Sequence, residues 1–232
     1  MNPVAATNWP ELWPATSSQS RMDFFDVATT MPTMRRFSDR AIDPRTIERI
    51  LETANMAPSG SNAQPWEFVI VRDQAARGEI QKLYELAWVP YKDSATLSPR
   101  AQKALRVGDE FSASLAIVPV HVVVFLDRPK MRVVRGSPED LTNFGATYGS
   151  VFPAIELMML AARALGVGTA MTTMLSPHEV ETKALLGVPG LYQLIALIPM
   201  GYPAEGFKRP FRKPVWPRVH DGHWSRAWPR RP

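Results

Sequence analysis

From Val151 to Leu165 the chain carries Phe152, Ile155, Leu157, Met158, Met159, Leu160, Ala161, Ala162 and Leu165, apolar side chains on nearly every side of the helix their spacing predicts. A helix without a wet face has to be covered all round, by a large core or by a second subunit. Pro153 either kinks this helix or marks a break near its start. With 232 residues the chain is long enough to bury such a helix in one domain. Its 45% hydrophobic and 21% charged residues are those of a soluble globular protein. No stretch approaches the ~18 uninterrupted apolar residues of a membrane span. Met1 to Trp13 has no basic segment leading into an apolar one, so the expected location is cytoplasmic, with no membrane partner. The absence of cysteine excludes disulfides, thiolate catalysis and thiolate metal sites.

Around the apolar helix the pattern is α/β without repeats. Asp43-Pro44 opens a helix in which Ile47, Ile50, Leu51 and Ala54 form one stripe. Trp66 to Val71 reads as a short strand, and Val120 to Leu126 as one covered on both faces. Helices are expected near 74–88 and 99–115, with a polar connection from Lys92 to Pro99. Gly166-Val-Gly168 ends the apolar helix and leads into Thr169–Met174. Ser176-Pro-His-Glu179 has the form of a capping box before a helix ending at Gly187, and Leu191 to Ile198 gives the last core strand. The alternation is too irregular for a strict βαβ series, which makes the fold class α+β.

Charge is uneven. Lys208 to Pro232 holds eight basic residues and one acid, a net +7, which leaves the first 207 residues at −2 of the +5 total. This Trp-rich tail (Trp216, Trp224, Trp228) reads as a solvated arm, a phosphate site or a nucleic-acid patch. With no nucleic-acid motif beside it, docking on another protein surface is preferred. The chain divides into an irregular leader (1–20), a main domain (21–215) and a basic Trp-rich extension (216–232).

There is no G-x-G-x-x-G, P-loop, G-x-S-x-G or H-E-x-x-H. His220-x-x-His223 lacks a further nearby ligand, and no metal site is expected. The informative stretch is Met34-Arg-Arg-Phe-Ser-Asp39, then the Pro44 helix, then Ala57-Pro-Ser-Gly-Ser-Asn-Ala-Gln-Pro-Trp66. A helix halts at a proline turn, where Ser59, Gly60, Ser61 and Asn62 offer hydroxyls, an amide and backbone N–H groups. An asparagine amide donates and accepts at once and suits the edge of a heterocycle.

The run RRF…ILETANMAPSGSNAQPWEFVIVRD (35–73) resembles the opening of FMN-dependent nitroreductases and their relatives, the iodotyrosine deiodinases and the flavin-cleaving enzyme that makes dimethylbenzimidazole. LMMLAARALGVGTAMTTM (157–174), LLGVPG (185–190), MGYP (200–203) and RKPV (212–215) resemble later parts of that family in the same order. The resemblance implies a nitroreductase-like mixed sheet flanked by helices, in an intertwined homodimer with FMN at the interface. It implies that Arg35 reaches the flavin pyrimidine edge and that Thr33 belongs to the phosphate loop. Pro58, Ser59 and Gly60 would approach from the partner subunit, and Asn62 would bond the ring. Thr172 and Thr173 would lie near flavin N5, with Gly168 passing the ring. Arg212, with Arg209 as second candidate, would hold the phosphate. Met31 and Pro32 stand where relatives carry arginine, so Arg36, Arg209 and Lys213 are candidates to compensate.

The activity so implied is ping-pong reduction of nitroaromatic, quinone or similar acceptors, driven by NADH or NADPH, with Arg35 and Thr173 tuning the flavin. Ser61, Trp88, Tyr91, Lys92 and Phe111 are candidate substrate and lid residues, with ordinary packing an equal reading. Other readings are a dehalogenating or flavin-cleaving relative and an FMN-storing or FMN-sensing protein.

Overall fold

The computed structural model describes residues 22–93, 99–131 and 141–229. The leader (1–20) and most of the connection between Lys92 and Pro99 lie outside them. Four strands form one sheet, β1 (Trp66–Val71), β2 (Val120–Asp127), β3 (Gly168–Thr169) and β4 (Tyr192–Gly201), in the order β1-β2-β4-β3. The α+β class is as expected, but every neighbouring pair among the described strands is antiparallel rather than mixed. Helices α1 (Phe24–Thr29) and α2 (Pro44–Ala54) precede the sheet, and two more, α3 (Gln74–Asp93) and α4 (Pro99–Ala113), separate β1 from β2. The chain therefore re-enters the sheet at the end it left, Val71 lying opposite His121.

All eight residues of β2 are buried, because the strand is covered on both faces. Val120, Val122, Val124 and Leu126 pack with α2 (Pro44–Ala54) and α5 (Leu141–Ala164). Val123 and Phe125 face the other way, into a core shared with α3, α4 and β4. Alternation along one strand thus divides two helical layers. Asp43 caps α2, its carboxylate accepting the Arg45 N–H at 2.9 Å, and Ile47, Ile50 and Ala54 are its buried stripe.

The apolar helix starts about three turns earlier than its hydrophobic run, and Pro153 lies inside it without ending it. Val151, Ala154, Ile155, Met158 and Ala162 are buried in the chain's own core. Phe152 is exposed, and Leu157, Met159, Leu160 and Ala161 are only half-buried. The expected helix 74–88 continues to Asp93, so Lys92 belongs to its last turn. The capping box does not form. Residues 176–178 make a 3-10 turn without a side-chain cap. Glu179 instead accepts the Leu194 N–H of β4 at 3.2 Å and pairs with Lys183, so tertiary contact outweighs the local motif. The helix that follows, α6 (Glu179–Leu186), ends as expected at Gly187, left-handed at φ +67°.

Candidate cofactor site

Residues 34–38 are sewn to the sheet. The Met34 N–H donates to the Thr169 carbonyl at 2.9 Å, the Ser38 N–H to Tyr202 at 2.9 Å, and the Ala204 N–H to Arg36 at 3.1 Å. A Cβ on Gly168 would stand 2.9 Å from Met34 Cγ, so glycine lets the two segments run side by side. Thr172 exchanges two backbone hydrogen bonds with Leu197, at 3.0 and 2.9 Å. The Met174 N–H donates to Thr172 Oγ1 at 3.3 Å, and Thr172 and Arg35 both act on the phenol of Tyr84, a buried residue of α3. Burial pushes the Tyr84 phenol above its ordinary value, opposed by Thr172 and Arg35. The seam brings Arg35, Gly168 and Thr172 together.

The neighbouring arginines differ. Arg36 is clasped by Glu110 of α4 at 2.6 Å and by Glu205 at 2.9 Å, contacts that raise its pKa and occupy the guanidinium. Its expected role as a spare phosphate ligand is therefore taken up by carboxylates. Among the described residues no carboxylate pairs with Arg35, which is exposed.

The second cluster is the turn after α2. Ser61, Asn62 and Gln64 have φ of +54°, +53° and +45°, and among the described residues Ser225 is the one other non-glycine at positive φ. Such backbone costs on the order of 1–3 kcal/mol per residue and persists where surrounding contacts impose it. Here Ser59 Oγ accepts the Gln64 N–H at 2.9 Å, and Ser150 Oγ of α5 accepts the Gly60 N–H at 3.2 Å. Gln64 Nε2 donates to Asn62 Oδ1 at 3.1 Å, and Trp66 Nε1 to Asn55 Oδ1 at 3.0 Å. Pro58, Gly60, Ser61 and Asn62 remain exposed at the tip.

The turn is fastened to α5 through Ser150, whereas residues 34–38 are fastened to the sheet at Thr169 and Tyr202. Thr33 and Thr173 are exposed. Arg212 lies on an exposed arm and bonds the Phe211 carbonyl, and Arg209 stands 3.9 Å from Asp26. The arm leaves the body where Phe207 stacks under the Arg163 guanidinium at 3.9 Å. It then folds on itself, with His220 bridged to Ala227 and the Asp221 N–H donating to Arg226 at 2.8 Å. Phe211, Val215 and Trp224 are more than half exposed.

Of the lid candidates, Phe111 is a core residue, 2% exposed and edge-on to Tyr84 at 5.9 Å, so it cannot stack on a ligand from that position. Trp88 lies across Gly108, where a Cβ would come within 2.3 Å of its ring, and donates to Asp109 at 2.8 Å. Lys92 pairs with the same carboxylate at 3.1 Å. Tyr91 stacks on Trp88 and is exposed. Sequence reading missed Tyr84 and Ser150. Tyr84 was findable as a hydroxyl on the Ile80–Tyr84–Ala87 stripe, whereas Ser150, a lone serine before an apolar run, gave no signal.

An exposed guanidinium, threonine hydroxyls and a strained amide-rich turn suit a planar heteroaromatic with carbonyl and ring-nitrogen edges, so the residues present fit a flavin. On a helix-flanked antiparallel sheet they define the nitroreductase fold of flavoproteins. A crystal structure of an iodotyrosine deiodinase bound to FMN and 3-iodo-L-tyrosine superposes with a TM-score of 0.67, at 26% identity, over 83% of this chain and 96% of that one. The family model described as "Nitroreductase family" matches residues 32–202, and the chain belongs to the nitroreductase family. It is 32% identical over 179 residues to a 5,6-dimethylbenzimidazole synthase of Rhodospirillum rubrum, covering 74% of this chain and 78% of that protein. It is 31% identical over 175 residues to an iodotyrosine deiodinase of Haliscomenobacter hydrossis, covering 75% and 76%.

Proposed function

We propose that this protein is a homodimeric FMN-dependent oxidoreductase that takes reducing equivalents from NADH or NADPH and passes them to nitroaromatic, quinone or similar acceptors. The observation that carries this reading is the pair of donor clusters with exposed polar groups, one sewn to the sheet at Thr169 and Tyr202 and one fastened to α5 at Ser150. One ligand touches both when a second copy supplies the turn. The half-buried face of α5 and the exposed Trp-rich arm give that copy apolar surface to cover. Residues 21–215 form the FMN-binding domain, and 216–232 the arm that wraps the second copy.

FMN, when bound, supplies the centre that accepts and returns hydride. Arg35 sets a positive charge at the pyrimidine edge, favouring the more negative state of the site. Thr172 and Thr173 present hydroxyls to the central ring, and Gly168 keeps that surface free of a side chain. Pro58, Ser59, Gly60 and Asn62 of the second copy close the other side. Thr33, Arg209 and Arg212 hold the phosphate. Trp88, Tyr91 and Lys92 border the acceptor space, with Ser61 at the turn.

The test is the purified full-length protein, expected to be yellow, to bleach with NADH or NADPH and to recover colour with a nitroaromatic or quinone. A colourless protein that takes up no FMN refutes the reading, and a yellow one that never bleaches points to storage or sensing. A specialised flavin-cleaving activity is favoured by the 32% identity to the dimethylbenzimidazole synthase. It predicts irreversible loss of flavin absorbance when the reduced protein meets air.

A further inference from the structure

We propose that Arg163 is a positioning residue for the phosphate of FMN, its guanidinium clamping together the two chain segments from which the phosphate ligands emerge; this rests on the flavin site proposed above. Arg163 lies in the last turn of α5 and is 8% exposed. A buried guanidinium is costly unless its N–H groups are used. Here Nε donates to the Thr30 carbonyl and to Thr30 Oγ1, both at 3.0 Å, and Nη2 donates to the same hydroxyl at 2.8 Å. Nη1 donates to Met22 Sδ at 3.1 Å, and the guanidinium carbon lies over the Phe207 ring, 3.9 Å from its centroid. The edge of one plane thus serves Thr30 while its face serves Phe207, a combination closed to an ammonium group.

Thr30 is three residues before Thr33, and Phe207 is two before Arg209 and five before Arg212. The two segments also approach each other directly, where Arg209 stands 3.9 Å from Asp26. Neither holds its place alone. With six residues α1 is too short for an isolated helix, and Val27 is its one buried side chain. Thr30 caps its C-terminus, and the Thr30 hydroxyl donates back to the Asp26 carbonyl, so Arg163 grips the helix by its end. On the other side, the last backbone hydrogen bond from the arm's base to the body, among the described residues, runs from Ala204 to Arg36. Phe207 is the next anchor after it. Segments fixed before the ligand arrives need less ordering on binding, which is the advantage of a preorganised site.

The test uses the full-length protein and compares FMN with riboflavin, which lacks the phosphate, by quenching of flavin fluorescence. The ratio of the two affinities reads the phosphate side alone. Arg163→Met is expected to shrink that ratio about tenfold, the worth of one charge-assisted contact, while riboflavin affinity stays near the parent's. In an Arg209→Ala, Arg212→Ala background the same substitution should change the ratio little, because the groups it positions are gone. Equal losses for FMN and riboflavin would overturn the proposal, leaving Arg163 a support of the fold, as would an unchanged ratio. If Arg163→Met does not fold, Phe207→Leu decides, since it keeps the hydrogen bonds to Thr30: a smaller ratio supports the clamp and an unaltered one refutes it. A parent that takes up neither flavin removes the flavin site itself, whereas one that binds both equally removes the phosphate ligands and the clamp with them.

Discussion

The seam that carries Arg35 and the arm that carries Arg212 hold their arginines in opposite ways. In the seam, residues 34–38, 168–174 and 197–204 are bonded backbone to backbone over a buried core, so Arg35 projects from a fixed base. The arm is supported by its own hairpin and, at its base, by Phe207 under Arg163 and Arg209 beside Asp26, and it leaves Phe211, Val215 and Trp224 more than half exposed. A cationic group on a fixed base recognises a ligand edge by geometry, whereas one on an exposed arm acquires geometry only when something covers the arm. In the function proposed above, the Arg35 side of the site is therefore built into one chain, and the phosphate side depends on assembly.

That contrast is open to measurement. The largest effect belongs to the seam's foundation. Leu197→Ala, at a fully buried position bonded to Thr172, should lower unfolding free energy by about 3 kcal/mol in urea titration. A loss under 1 kcal/mol would mean the seam is softer than described. Acid should act on the same layer. Burial lowers His121 to about 4 from 6.5, opposed by the Leu115 carbonyl and assisted by Arg77. Its neutral form belongs to the folded state, so stability is full above pH 6.5, declines as pH falls and levels off below about 4. The total loss is roughly 3 kcal/mol. Replacing His121 with leucine should flatten that part of the profile.

Next, Arg35→Ala should weaken FMN by about 10- to 100-fold without moving the melting temperature, since a charge-assisted contact is lost at an exposed position. Deleting residues 216–232 should shift the dimer towards monomer in light scattering while the single chain keeps its far-UV spectrum. An unchanged dimer would show that the arm's exposed tryptophans are not covered by a second copy. The smallest effect falls on Arg36→Ala, which removes exposed ion pairs and should cost under about 1 kcal/mol.

Elements whose periodicity matched their burial were legible in the sequence. The Ile47–Ile50–Ala54 stripe, the nearly all-apolar β2 and the Gly187 stop all stand where the pattern put them. Pro153 does not break its helix, and the Ser176–Glu179 motif misled because the local rule yielded to a tertiary contact with the Leu194 N–H. The site was legible as residue types but not as partners. Nothing near Arg36 in sequence announces Glu110 or Glu205, and nothing near Gly60 announces Ser150. Long-range pairing decides which of two adjacent arginines is available, and that information is spread over the whole chain.

The left-handed residues at 61, 62 and 64 bear on how this lineage drifts under selection for heat resistance. Glycine at Asn62 would relax the backbone and raise the melting point of the ligand-free chain, while surrendering the amide and the rigidity of the loop. In the function proposed above, thermal hardening and cofactor retention therefore pull in opposite directions over these few residues. Variants recovered by heat challenge alone should accumulate there and emerge colourless.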